Sequence, residues 1–101
     1  MSEKTIEKKV CDYAKSQGML CYKFVSPGKR GVPDRMFITK EGLVFFIEFK
    51  DPKGVLSPTQ AKIIKAIRDH NAYVFVVSTV EGGVHLINKM NDFIPFGNVP
   101  L

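Results

Sequence analysis

The chain has 101 residues, of which 45% are hydrophobic and 25% charged, and these proportions exclude a disordered or low-complexity chain. A length of this order fits one folded domain, so we expect a single domain over residues 1–101, with a core from about 3 to 88 and a C-terminal tail from 89 to 101. The net charge of +5 favours a polyanionic partner, although many soluble proteins carry a similar excess of Lys and Arg.

Two kinds of feature are missing from the sequence. Cys11 and Cys21 form no C-x-x-C pair and have no histidine cluster nearby, so we expect reduced thiols instead of a zinc site. The longest apolar runs, 43–47 and 73–77, fall far short of the roughly 18 residues that span a bilayer. The polar N-terminal segment does not resemble a signal peptide, so we expect a cytoplasmic protein without a membrane partner.

The first third of the chain predicts a helix, a strand and a loop. Ser2 caps a helix that runs to about Gln17, and Gly18 ends it. Residues 20–25 predict a short strand. Residues 26–33 predict a loop, because their Gly and Pro residues exclude regular structure.

The middle of the chain predicts a β-hairpin over residues 34–39 and 43–50, joined by a turn at 40–42. The second of these strands is apolar on both faces at its start, which is typical of a central strand. Glu48 and Lys50 continue one of those faces. Charged groups at the end of such a strand need a partner or a function.

The rest of the chain predicts a second helix and further strands. Ser57-Pro58-Thr59-Gln60 is a helix start, with Ser as the N-cap, Pro at the first helical position and Gln at the capping-box position. Residues 73–78 predict a strand parallel to the third, and residues 84–87 an added edge strand. The predicted fold is α/β, a mixed sheet in α-β-β-β-α-β order flanked by helices.

Two carboxylates are predicted to meet at one edge of this sheet. If the second and third strands pair, Asp34 at the start of one faces Glu48 at the end of the other. Two converging carboxylates repel each other unless a cation holds them. A hard divalent cation, Mg²⁺ or Mn²⁺, suits these oxygens together with the backbone carbonyl of Phe49, and Lys50 lies close enough to assist phosphodiester hydrolysis.

Three segments carry a resemblance to a known family. Gly31-Val32-Pro33-Asp34, Phe46-Ile47-Glu48-Phe49-Lys50 and Leu56-Ser57-Pro58-Thr59-Gln60 resemble the VRR-NUC branch of the PD-(D/E)XK nuclease superfamily, particularly its short stand-alone phage and bacterial members. The resemblance runs from about residue 3 to 78. It implies a restriction-endonuclease-like core and homodimers that cut branched DNA, including four-way (Holliday) junctions.

The resemblance also implies roles for individual residues. Asp34 and Glu48 bind metal and Lys50 is the catalytic lysine. Gln60 is the glutamine of the second helix, and Glu7 is the acidic residue of the first helix, with Glu3 as its rival. Gln60 has a structural explanation as a capping residue, and Glu7 could be a boundary charge on an amphipathic helix.

Basic residues around the predicted site are candidates for contact with DNA phosphates: Lys29, Arg30, Arg35 and Lys53. They could equally be solvated charges. Two rival functions follow: a non-catalytic DNA-binding module, and a homodimeric interaction protein that docks a partner through the apolar residues Phe93, Ile94, Phe96, Val99 and Leu101.

Overall fold

The computed structural model describes residues 1–93, so the tail residues Ile94, Phe96, Val99 and Leu101 lie outside the described part of the chain. The elements in chain order are α1 (Glu3–Ser16), β1 (Leu20–Lys23), β2 (Arg35–Ile38), β3 (Val44–Phe49), α2 (Pro58–Asp69), β4 (Tyr73–Val77) and α3 (Val80–Asp92). Within these 93 residues, no helix combines the length and apolar character needed to cross a membrane.

The four strands form one mixed sheet in the order β1-β2-β3-β4. β2 pairs antiparallel with both β1 and β3, whereas β4 pairs parallel with β3 after the crossover through α2. β3 is therefore a central strand, and the predicted mixed α/β sheet is confirmed. The hairpin of β2 and β3 brings the beginning of one strand next to the end of the other, as the prediction for Asp34 and Glu48 requires.

Both helix starts that the sequence predicts are present. The Ser2 side chain accepts a hydrogen bond from the Thr5 N–H at 3.2 Å and caps α1. Ser57 and Gln60 form a reciprocal capping box at the start of α2. These starts were predictable because a cap depends on residues only three positions apart.

The hydrophobic core lies between one face of the sheet and helices α1 and α3. Phe37 and Phe45 stack with ring centroids 5.0 Å apart on neighbouring strands. Other core residues that are at most 1% exposed are Ile6, Val10, Ala14, Ile47, Phe49 and Ile87. Side chains alternate along β3, so Phe46 and Glu48 project from the opposite face, where α2 packs.

The predicted edge strand at residues 84–87 is wrong, because these residues lie inside α3. Thr79 caps this helix by accepting a hydrogen bond from the Gly82 N–H at 3.0 Å. The next residue, Gly83, lies against α1, and a Cβ there would come within 2.3 Å of a Val10 methyl group. Gly costs a helix about 1 kcal/mol relative to Ala, so Gly82 and Gly83 disfavour a helix in this segment. The close packing of α3 on α1 outweighs that preference.

Candidate active site

Three carboxylates meet where the start of α1, the start of β2 and the end of β3 come together. One oxygen from each of Glu3, Asp34 and Glu48 lies within 4.8 Å of the others. The sequence predicted the approach of Asp34 and Glu48 from strand pairing alone. Glu3, which the sequence left as a rival of Glu7, completes the cluster.

Asp34 is fixed by backbone contacts on both sides of its strand. Its side-chain Oδ2 accepts a hydrogen bond from the Phe49 N–H at 2.8 Å, and its carbonyl accepts one from the Phe24 N–H at 3.0 Å. Burial raises the pKa of the Asp34 carboxyl, while the Phe49 N–H opposes that shift by stabilising the ionised form. Asp34 is therefore held rigidly beside the end of β3.

Glu48 is a buried acid with one satisfied oxygen. Its Oε2 accepts a hydrogen bond from Gln60 Nε2 at 3.0 Å and lies 3.5 Å from Lys50 Nζ. Its Oε1 is buried and has no hydrogen-bond partner among residues 1–93. Burial, and then the charge of Asp34, raise the pKa of Glu48 to about 7. An unsatisfied buried oxygen costs about 1–3 kcal/mol, so this atom needs a proton or a cation.

The donor set fits a hard divalent cation. Mg²⁺ and Mn²⁺ prefer oxygen ligands, and three converging carboxylates supply them. The N–H and C=O of one residue in a strand point towards the same neighbouring strand. Since the Phe49 N–H faces Asp34, the Phe49 carbonyl is also on that side and is available to the same ion.

Lys50 and Gln60 complete the surroundings of Glu48. The Lys50 N–H donates to the Val77 carbonyl at 2.9 Å, so pairing with β4 continues past the end of β3 and holds the lysine in place. Gln60 Oε1 accepts from the Ser57 N–H at 3.0 Å while Nε2 donates to Glu48. Gln60 thus serves the helix cap and the acidic cluster at the same time.

The Glu7 carboxylate pairs with Arg35 and does not join the three acids of the cluster. Its Oε2 accepts from Arg35 Nε at 2.7 Å, and both side chains are mostly buried. The other predicted DNA contacts, Lys29, Arg30 and Lys53, are exposed in the loops before β2 and after β3. Arg35 is therefore paired with an acid of the same chain, whereas Lys29, Arg30 and Lys53 are exposed to solvent.

Comparison with known proteins identifies the family of this chain. The model of the VRR-NUC domain matches residues 6–81, which is most of the chain. The chain belongs to the VRR-NUC domain family. The matched VRR-NUC region contains Asp34, Glu48, Lys50 and Gln60, whereas Glu3 precedes it. The family that the sequence motifs suggested is confirmed.

Two similar proteins extend this result. A protein of Acyrthosiphon pisum secondary endosymbiont phage 1, named "Putative nuclease p44", is 42% identical over 60 residues, or 59% of this chain. The chain spans 64% of the length of that relative. A solved structure described as "VRR_NUC domain" matches with a TM-score of 0.79 and 29% identity, covering 85% of this chain and 94% of that one. The VRR-NUC fold therefore accounts for most of the described residues.

Proposed function

We propose that this VRR-NUC chain is an endonuclease that hydrolyses DNA phosphodiesters with Mg²⁺ or Mn²⁺. The observation that carries the proposal is the convergence of Glu3, Asp34 and Glu48 within 4.8 Å, with Lys50 Nζ 3.5 Å from Glu48. Acids that would repel one another are gathered beside an ammonium group. A bound cation would compensate the negative carboxylates, and a phosphate ester would compensate the positive ammonium group.

Glu3, Asp34, Glu48 and the Phe49 carbonyl would hold the cation. When bound, such an ion withdraws electron density from the phosphate and makes a nearby water more acidic. In this assignment Glu3 takes the role for which the sequence favoured Glu7. Glu7 instead holds Arg35 and adds negative charge near Asp34, which contributes to the raised pKa of Asp34.

Lys50 is the proposed catalytic residue for the phosphoryl group. Its side chain is 16% exposed, so its charge is only partly screened by water. From beside Glu48 the ammonium stabilises the negative charge that builds up on the phosphate oxygens and orients the attacking water. Gln60 is a positioning residue, because its amide donates to Glu48 Oε2 at 3.0 Å and so orients that carboxylate.

The test is cleavage of labelled DNA by the wild type, Glu48→Gln and Lys50→Met with Mg²⁺ or Mn²⁺. We expect each variant to lose about 100-fold or more in rate, the usual effect of removing a group that stabilises transition-state charge or assists proton transfer. Lys65→Ala is the matched control, since Lys65 is an exposed lysine whose Nζ pairs with Asp69 at 2.6 Å. Full cleavage by Glu48→Gln or Lys50→Met would refute the proposal.

A second pair of variants tests the choice between the two helical acids. Glu3→Gln should weaken Mn²⁺ binding, measured by titration calorimetry, because it removes a ligand of the cluster. Glu7→Gln should leave Mn²⁺ binding much closer to that of the wild type, because Glu7 Oε2 is engaged by Arg35. The opposite result would return the role to Glu7.

We further propose that two copies act together on branched DNA, including four-way junctions, in the cytoplasm of a bacterial or phage-infected cell. The family resemblance supports the substrate, and the phage source of one relative supports the place of action. A panel of linear, flapped, forked and four-way DNA tests it, with cleavage restricted to branched forms as the expected result. DNA binding that persists in chelator, with no cleavage under any divalent metal, would instead identify a binding module.

A further inference from the structure

A groove of about 510 Å³ lies between the loop that precedes β2 and the first turns of α2. Lys29 and Arg30 line it from the loop, Lys62 lines it from the helix, and none of its lining residues is acidic. None of these three cations has an ion-pair partner within the described 93 residues, whereas Lys65, on the same helix, is paired. Three uncompensated positive charges therefore face one cavity.

The loop that carries two of these charges is seated on α2 by a close backbone contact. Gly31 has φ +90°, and a Cβ there would lie 2.9 Å from Thr59 Cγ2 and 3.1 Å from the Thr59 carbonyl oxygen. A residue other than glycine would be strained in this conformation and would push the loop away from the helix. The contact fixes Lys29 and Arg30 relative to Lys62, so the charges are placed before a ligand arrives.

The groove adjoins the candidate active site through the first turn of α2. Thr59 lines the groove, and the next residue, Gln60, donates to Glu48 at 3.0 Å. A linear polyanion lying in the groove would therefore continue towards the carboxylate cluster. A chain of phosphates matches the positive charge of the groove, and its repeating charges can reach from the groove to the neighbouring cluster.

We propose that this groove binds the backbone of the DNA strand next to the phosphate that is cut, with Lys29, Arg30 and Lys62 neutralising successive phosphates. Its position beside a cut rests on the proposed nuclease function, while its affinity for DNA does not. Lys62 joins Lys29 and Arg30 in this role, and Thr59 lines the same groove without contributing charge. Arg35 is excluded from it, because its guanidinium is held by Glu7.

The test measures binding of a fluorescein-labelled DNA duplex by anisotropy in EDTA, over a range of NaCl concentrations. A contact between a cation and a phosphate releases counterions and contributes about 0.9 to the slope of log K against log salt. We expect Lys29→Ala/Lys62→Ala to reduce this slope by about two and Lys62→Arg to keep the wild-type slope. Lys65→Ala, which removes the same charge three residues further along α2, should leave the slope unchanged.

If the Lys29→Ala/Lys62→Ala variant has the same slope of log K against log salt as Lys65→Ala, and its circular dichroism shows a folded protein, the proposed DNA site in the groove is wrong. Because binding is measured in chelator, the result is independent of cleavage. Cleavage by the wild type together with an unchanged slope would refute the groove and leave the nuclease. A reduced slope without cleavage would support the groove as a DNA site and refute the nuclease.

Discussion

Glu48 is held at the end of β3 by contacts that satisfy one of its carboxylate oxygens and leave the other without a partner. A buried acid in this position weakens the metal-free protein whenever it is ionised, because water no longer solvates its charge. The same arrangement favours cation binding, since the ion replaces the missing contact. Glu48, which we propose as a metal ligand, therefore also makes the stability of the folded protein depend on whether a cation is bound.

We predict that the metal-free protein loses stability as the pH rises from about 4.5 to about 7, because burial raises the pKa of Glu48 from 4.5 to about 7. The folded state then binds a proton that the unfolded state has released, so the stabilisation is full below the lower pKa and lost above the higher one. Urea unfolding in EDTA at several pH values measures it. Glu48→Gln should flatten this part of the profile, and an identical profile in wild type and variant would contradict the prediction.

The two cysteines are free, as the sequence predicted, but they differ in reactivity. The neighbouring Cys11 thiol, and then the positive charge of Arg35, lower the pKa of Cys21 to about 7, while the neighbouring Cys21 thiol and burial raise the pKa of Cys11. We predict that iodoacetamide at neutral pH modifies Cys21 faster than Cys11, because the thiolate is the reactive form. Peptide mass spectrometry measures both sites. Cys11→Ala should slow modification of Cys21, and an unchanged rate would show that the thiol contact has no influence.

At the scale of elements, the sequence predicted what depends on neighbours along the chain. Ser2 and Ser57 cap their helices through residues three positions away, and the alternating pattern of β3 identifies its buried faces. The meeting of Asp34 with Glu48 followed from antiparallel pairing of adjacent strands. These features require little knowledge of the tertiary structure.

Other features could not be predicted, because they depend on contacts between distant segments. The choice of Glu3 over Glu7 for the cluster depends on how α1 rotates as it packs on the sheet, since both acids lie on the same helix face. The groove exists because Gly31 approaches Thr59 from another element. For α3, the Thr79 cap depends on a residue only three positions away, but the reason for Gly83 lies on α1.

We predict that Gly83→Ala destabilises the protein by about 1–3 kcal/mol, the usual cost of overpacking. The added Cβ would come within 2.3 Å of Val10 Cγ2 and force α3 away from α1. Urea unfolding of Gly83→Ala, Val10→Ala and the double variant measures the coupling, and the double variant should lose less than the sum. Gly82→Ala is the control, because its Cβ would meet the Thr79 hydroxyl instead. Equal coupling for both glycines would contradict this packing argument.

At the scale of the whole molecule, the positive charges behind the net charge of +5 are unevenly compensated by acidic residues. Several cations are compensated by acids, including Arg35 by Glu7 and Lys50 by Glu48. The cations that line the groove have no acidic residue beside them in its lining. The positive electrostatic potential there therefore exceeds what the net charge suggests, which favours a polyanion. This distribution supports nucleic acid as the partner more strongly than the composition alone.

We predict that the chain sediments as a dimer with twice the 11.4 kDa of one copy, because the proposed cleavage of both strands of a branched substrate would require two sites in a fixed relation. Sedimentation equilibrium of the full chain measures this, and a monomer at all concentrations would contradict it. A chain ending at Phe93 tests the rival interpretation of the tail. Loss of the dimer in that shorter chain would assign self-association to residues 94–101.

The carboxylate cluster draws its parts from both sides of the sheet and from distant points along the chain. Translation proceeds from the N-terminus to the C-terminus, so Gln60 leaves the ribosome after Glu3, Asp34 and Glu48. A nascent chain that ends before α2 has all three acids but lacks the amide that orients Glu48. The proposed site is therefore complete only when the crossover from β3 to β4 is being synthesised.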